Sequence, residues 1–223
     1  LLEVLAPLEG KGVQGYTDYR EILQRPDVDI VHIATPPHWH CRMAVDAAEA
    51  GKDFYLEKPM TLYPAETLAV ARAVRKHKIV TQIGTQVHAT PNYRRIVDVV
   101  RSGVLGKICV GRCFHVFNDG QKGIGRHPQT QPPEGLDWDM WMGPGPKRDF
   151  HPKLVESSHT HPSFWYSGGW TPGMAPHVLD IPFWALELGY PDAAAERELL
   201  AGGDRRARIA ELAPLADAAT LVD

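Results

Sequence analysis

Asp53-Phe54-Tyr55-Leu56-Glu57-Lys58-Pro59 carries an apolar run straight into a charged pair and a proline. Proline has no N–H and pushes the residue before it out of the α region. The stretch therefore predicts a short strand that stops at Leu56 and hands the chain to a loop. Lys58 then stands at the carboxyl end of a strand, where open α/β sheets bind their ligands. A lysine there can donate a proton, hold a substrate hydroxyl, or lose its charge when desolvated. A solvated lysine in a turn is the commoner fate of this residue type, so the neighbouring sequence has to decide.

Upstream, Val28-Asp29-Ile30-Val31-His32-Ile33-Ala34 is apolar at most positions, as expected of a strand buried on both faces. It runs into Thr35-Pro36-Pro37-His38-Trp39-His40, then into a helix with Met43, Ala44, Ala47 and Ala48 at helical spacing and Gly51 as its stop. Before it, a helix is expected from Thr17 to Arg25, ended by Pro26. Downstream, a helix spans Pro64 to His77, and Ile79 to Gly84 is a further strand. Strands alternating with helices of this length imply βαβ units and a parallel sheet. Right-handed crossovers place the loops after Ala34, Leu56 and Ile83 on one sheet edge. That edge gathers TPPHWH, EKP and Gly84-Thr85-Gln86, a candidate site.

Gly10 to Gly15, GKGVQG, matches the dinucleotide fingerprint letter by letter. It follows Pro-Leu-Glu rather than a buried strand, and the next helix starts late, so a turn is the better reading. Beyond His88, Thr90-Pro91 opens a helix that ends near Ser102, and Lys107 to Phe117 reads as one long strand. A Gly-, Pro-, His- and Trp-rich stretch follows to about Thr171. Its tryptophans either wedge a loop onto a core, the commoner role, or stack on a sugar face. His177 opens a further helix, PHVLDIPFWALELG, with Asp180 on the same face.

The 223 residues carry a formal net charge of −3, with 43% apolar and 23% charged side chains, an ordinary globular balance. There is no basic excess to invite nucleic acid and no apolar run of membrane-spanning length. Cys41, Cys109 and Cys113 are too few for a disulfide framework and read as small buried apolar residues. The scattered histidines, His115, His127, His151, His159 and His161, show no ligand spacing, so no metal is expected.

Taken in order, YTDYREIL, VDIVHIATPPHWH, AGKDFYLEKPM, VTQIGTQ, RSGVLGKI, GLDWDMWMGP and PHVLDIPFWALELG resemble the glucose-fructose oxidoreductase / inositol dehydrogenase / rhizopine-catabolism (Gfo/Idh/MocA) family. The resemblance covers residues 15 to 190. It implies an α/β protein: a partial Rossmann-like parallel sheet (1–88, lacking its first βαβ), then an incomplete α/β (α+β) C-terminal domain with an open sheet for substrate and oligomerisation (89–190). Residues 191–223 form an atypical tail.

The resemblance further implies an NAD(P)-dependent oxidoreductase acting on a sugar, polyol or related carbohydrate. Its catalytic residues would be Lys58 and His177. Thr35, Pro36, Pro37, His40, Glu57, Lys58 and Gln86 would lie along the NAD or NADP. The full-length parent is expected to be a homo-oligomer, dimer or tetramer. Cytoplasm is the expected compartment, with export left open. An NAD-dependent glycoside hydrolase on the same scaffold, or a non-catalytic carbohydrate-binding or assembly fragment, are the alternatives.

The sequence departs from the family in three places. The first strand, its Gly-rich turn and the ribose-binding acid are not found, so the chain reads as truncated by on the order of 50–70 residues. The acidic residue four positions before the histidine is replaced by Gly173. The Ala-, Arg- and Leu-rich tail lacks the alternation of strands and reads as out-of-frame or vector-derived sequence.

Overall fold

The computed structural model describes residues 12–116, 128–155 and 164–188. Residues 1–9, where Leu1, Leu5 and Leu8 recur at helical spacing, and the 191–223 tail lie outside them. Helix α1 (Tyr19–Leu23) starts where Asp18 accepts from the Arg20 amide, a normal side-chain N-cap. It is shorter than the Thr17–Arg25 expected. Strand β1 (Ile30–Ile33), helix α2 (His40–Glu49), β2 (Asp53–Leu56), α3 (Pro64–His77) and β3 (Thr81–Ile83) follow, as the alternation predicts.

The three strands are parallel in the order β1-β2-β3. The register pairs Val31 with Phe54 and Ile33 with Leu56, then Phe54 with Thr81 and Leu56 with Ile83. Paired residues point to the same side, so Val31, Ile33, Phe54, Leu56 and Ile83 make one apolar face. Ala44, Ala47 and Ala48 of α2 and Val70 and Ala73 of α3 close over it in one core. The alanines let the helices approach closely. Burying Leu56 or Phe54 contributes about 1.5–3 kcal/mol relative to exposure.

The expectation of burial on both faces is corrected. Ile30 is 66% exposed and His32 is exposed, with His32 meeting only the Tyr55 ring edge-on. Among the described residues no helix covers that face.

Pro91–Arg101 is α4, with Pro91 in its first turn. Residues 107–116, expected as a strand, have no ladder partner among the described residues, and Val110, Phe114 and Val116 are more than two-thirds exposed. Alternation marks strand potential, but a strand exists only when another strand takes up its N–H and C=O groups. For the same reason Cys109 and Cys113 are exposed instead of buried.

Helices α5 (Trp138–Met142), α6 (Phe164–Ser167) and α7 (Trp170–Ala185) complete the described chain. Helix α7 begins seven residues before His177, where the sequence placed its start. Pro176 and Pro182 both lie inside the helix. Each removes one intrahelical donor without ending it.

The tryptophans largely pack. Trp138 and Trp141 stack at 4.8 Å around Met142, Leu154 and Tyr166. Trp39 is 7% exposed and donates to the carbonyls of Met140 and Trp141. Trp165 stays about half exposed.

Candidate functional site

The loops after β1, β2 and β3 do converge on one sheet edge, because parallel strands of matched length end together. Each predicted residue has a place there or on α7.

Glu57 extends from the end of β2, its amide bonded to Ile33 O of β1. Its carboxylate accepts from Gln86 Nε2 at 2.9 Å and from the Lys58 amide. Gly84 makes that junction possible. A Cβ at Gly84 would stand 3.0 Å from Glu57 Oε2 and 3.1 Å from Gln86 Nε2.

Lys58 is half-buried and precedes Pro59 through a cis peptide. Its Nζ donates to the backbone carbonyl of Gly173 at 2.7 Å. Desolvation holds its pKa below the ordinary lysine range, partly opposed by the Glu57 charge. Gly173, noted in the sequence for the acid it replaces, thus supplies an oxygen from its main chain.

His177 is half-buried on α7. Burial lowers its pKa, the Lys58 charge lowers it further, and Glu57 and Asp180 act against both. The charges of Lys58 and Glu57 at the sheet edge therefore both reach His177 on α7. Asp180 is engaged elsewhere: His88 Nε2 lies 2.8 Å from its carboxylate.

The TPPHWH loop is placed differently from a simple cleft lining. Thr35, Pro36 and Pro37 are half-buried at the edge. His40 is 1% exposed, with Nδ1 2.7 Å from Pro59 O and Nε2 2.8 Å from Thr35 O. One ring therefore ties the loop after β1 to the loop after β2. His38, 2% exposed, sits between the carbonyls of Trp141 and Tyr166. A neutral imidazole carries one N–H, so each ring donates to only one of its two carbonyls. The paired carbonyls favour protonation, but burial outweighs them and both pKa values are lowered.

A groove of about 640 Å³ runs between α4, residues 108–114 and α7. Tyr93, Ile96, Phe114 and Ile181 line it, and His177 lies on its wall, while Lys58, Glu57 and Gln86 lie outside it.

Sequence reasoning missed His88 and the need for Gly84. Gly84 sits directly after a strand end, a position that signals close backbone approach. Nothing local marks His88, whose partner is 92 positions away.

Parallel strands with covering helices, polar loops at their carboxyl ends, and a lysine that binds the helix bearing a histidine define an α/β protein of the Rossmann-like class. Two domain descriptions of one family match the chain. The oxidoreductase family's NAD-binding Rossmann fold covers residues 5–85, and its C-terminal alpha/beta domain covers 89–189. The chain belongs to the Gfo/Idh/MocA oxidoreductase family.

It is 36% identical over 92 residues to a levoglucosan dehydrogenase of Pseudarthrobacter phenanthrenivorans, covering 41% of this chain and 24% of that one. It is 34% identical over 102 residues to a glycosyl hydrolase family 109 protein of Shewanella, covering 44% and 21%. A solved levoglucosan dehydrogenase in complex with NADH and levoglucosan shares 35% identity over 41% of this chain and 25% of that one, with a TM-score of 0.39. The chain spans about a quarter of the length of the curated relatives it matches. No helix among the described residues is long and apolar enough to cross a membrane.

Proposed function

We propose that the protein is an NAD(P)-dependent oxidoreductase of a sugar, polyol or related carbohydrate, with Lys58 and His177 as its proton-handling groups. The observation that carries this reading is the Lys58–Gly173 contact. It brings the partly desolvated amine at the end of β2 onto the helix that bears His177.

The residues present fit the nicotinamide end of the cofactor. Glu57 offers carboxylate acceptors for ribose hydroxyls, Gly84 leaves the edge open, and Thr35, Pro36, Pro37 and Gln86 border it. His40 serves by holding the two loops together from below. When bound, a nicotinamide supplies hydride acceptance from a carbinol carbon, which becomes a carbonyl.

Lys58 Nζ, anchored through one N–H to Gly173, takes the hydroxyl proton in its uncharged form, which burial favours. The His177 imidazole is the second acceptor at the same edge. A lowered lysine pKa brings the base nearer to working pH, where general-base catalysis is most effective. Both groups are partly buried, which lowers the pKa of each.

The division near residue 88, into a cofactor unit and a substrate unit, belongs to this reading, as does a homo-oligomeric whole protein. NADH titration of the 223-residue chain by calorimetry tests the cofactor assignment. Micromolar binding that is clearly weakened in Glu57→Ala supports it. No binding up to millimolar NADH, with a folded circular-dichroism spectrum, would overturn it for this chain.

The similarity to the family 109 protein favours one further reading, an NAD-dependent glycoside hydrolase. Net NADH formation from a polyol supports the dehydrogenase. Aglycone release from an aryl glycoside without net NADH supports the hydrolase.

A further inference from the structure

Gly173, His177 and Asp180 stand at i, i+4 and i+7 of α7 and so share one face. Both ends of that face are held from the sheet edge. Lys58, following β2, holds the Gly173 carbonyl at 2.7 Å. His88, from the turn following β3, holds the Asp180 carboxylate at 2.8 Å. The His88 ring also stacks on Trp184, one turn further along α7, with centroids 4.2 Å apart and planes 18° apart. The turn that bears His88 (Gln86–Ala89) is fixed in its own right, because Gln86 is bonded to Glu57. His177 lies between the two anchors.

We propose that His88 is a positioning residue, whose hydrogen bond to Asp180 fixes the rotation of α7 and with it the placement of His177 between the two anchors. With Gly173 as the single anchor from the sheet edge, rotation about that point is resisted from the α4 side alone. A second anchor seven residues on, about 10 Å along the axis, removes the pivot. The need is greater here because Pro176 and Pro182 each delete a backbone hydrogen bond between or beside the anchors. The same contact holds the Asp180 carboxylate at His88.

Lys58, Glu57 and Asp180 are the charged groups that act on His177. On the far side, Arg94 of α4 donates to the His88 carbonyl and Arg101 to the Trp184 carbonyl, so the anchoring turn is braced from α4 as well. What His177 does chemically rests on the function proposed above; how it is held does not.

The test is an NMR titration of the histidine ring protons of the 223-residue chain, with the His177 resonance assigned by His177→Gln. His88→Phe keeps a ring on Trp184 but cannot donate to Asp180. His88→Gln keeps a donor. In His88→Phe the His177 midpoint is expected to rise by about 0.5 pH unit or more, as the imidazole gains water and the freed carboxylate turns toward it. In His88→Gln it returns to the wild-type value. Equal midpoints in His88→Phe and wild type, or an equal displacement in both variants, would overturn the proposal. His88→Ala gives the same reading should His88→Phe not fold. A wild-type chain that transfers no hydride would remove the oxidoreductase reading, yet these midpoints would still decide the role of His88.

Discussion

Lys58 Nζ donates to the main-chain carbonyl of Gly173, 2.7 Å away and 115 positions along the chain. The acceptor is a backbone oxygen, so it has no pKa of its own in the working range and cannot neutralise the amine as a carboxylate would. Burial is then the main influence on Lys58, and it favours the uncharged base.

Lys58→Met removes the amine and keeps most of the packing volume. In a chain that transfers hydride, the rate of the chemical step is expected to fall by about 10²- to 10⁴-fold. The NADH dissociation constant should change far less. Stopped-flow nicotinamide absorbance separates the two, and an unchanged rate would take Lys58 out of the chemistry.

Gly84→Ala places a methyl 3.0 Å from Glu57 Oε2 and 3.1 Å from Gln86 Nε2. Both are flexible side-chain ends and will yield, so stability should drop by less than about 1 kcal/mol. The carboxylate that faces the proposed ribose will move, and NADH affinity should weaken by about tenfold. Affinity equal to wild type would separate Glu57 from the cofactor.

His40→Ala leaves the buried carbonyls of Thr35 and Pro59 without their ring and opens a cavity beneath the edge. The expected cost is about 2–4 kcal/mol, read as a lower urea midpoint. A loss within about 0.5 kcal/mol would mean that the two loops do not depend on this ring.

Gly143→Ala is expected to be worse tolerated than any other glycine substitution discussed. Its Cβ would fall 2.1 Å from Trp39 Cζ2, and its φ of +45° is strained for any residue with a side chain. Loss of about 2–4 kcal/mol should accompany a red shift in tryptophan fluorescence as Trp39 leaves its seat on α5.

Acid should destabilise the protein between neutral pH and pH 5. His38, His40 and His177 have folded pKa values below the ordinary 6.5 because burial disfavours their charged forms. Below 6.5 the unfolded chain binds protons that the folded chain does not, so stability falls as pH falls until the folded values are passed. Thermal melts should drop across that range, and His38→Gln should flatten the drop. A melting temperature independent of pH from 7 to 5 would contradict the buried, neutral assignment.

The local code of the first unit was legible because each signal there is short-range. Asp18 before α1, Gly51 after α2 and the alternation of apolar runs act within a few residues. Residues 107–116 show the opposite case. Their pattern is that of a strand, but pairing depends on residues elsewhere, and among the described residues no partner is present. The start of α7 lies seven residues before the expected His177, because packing on α4 and the Lys58 contact hold residues 170–176 helical despite one missing hydrogen bond at Pro176.

The sequence by itself determined the parallel βαβ order, the convergence of TPPHWH, EKP and GTQ at one edge, and Lys58 and His177 as the residues to watch. The order and the convergence follow from periodicity, from strand-terminating prolines and from the handedness of crossovers; Lys58 and His177 follow from the family resemblance. Only the tertiary structure decided that His40 looks inward, that Gly173 offers its carbonyl to Lys58, and that His88 claims Asp180. Each of those outcomes is a choice among hydrogen-bond partners distant in the chain. Burial settles such choices, because a polar group removed from water must take whichever partner the fold brings within reach.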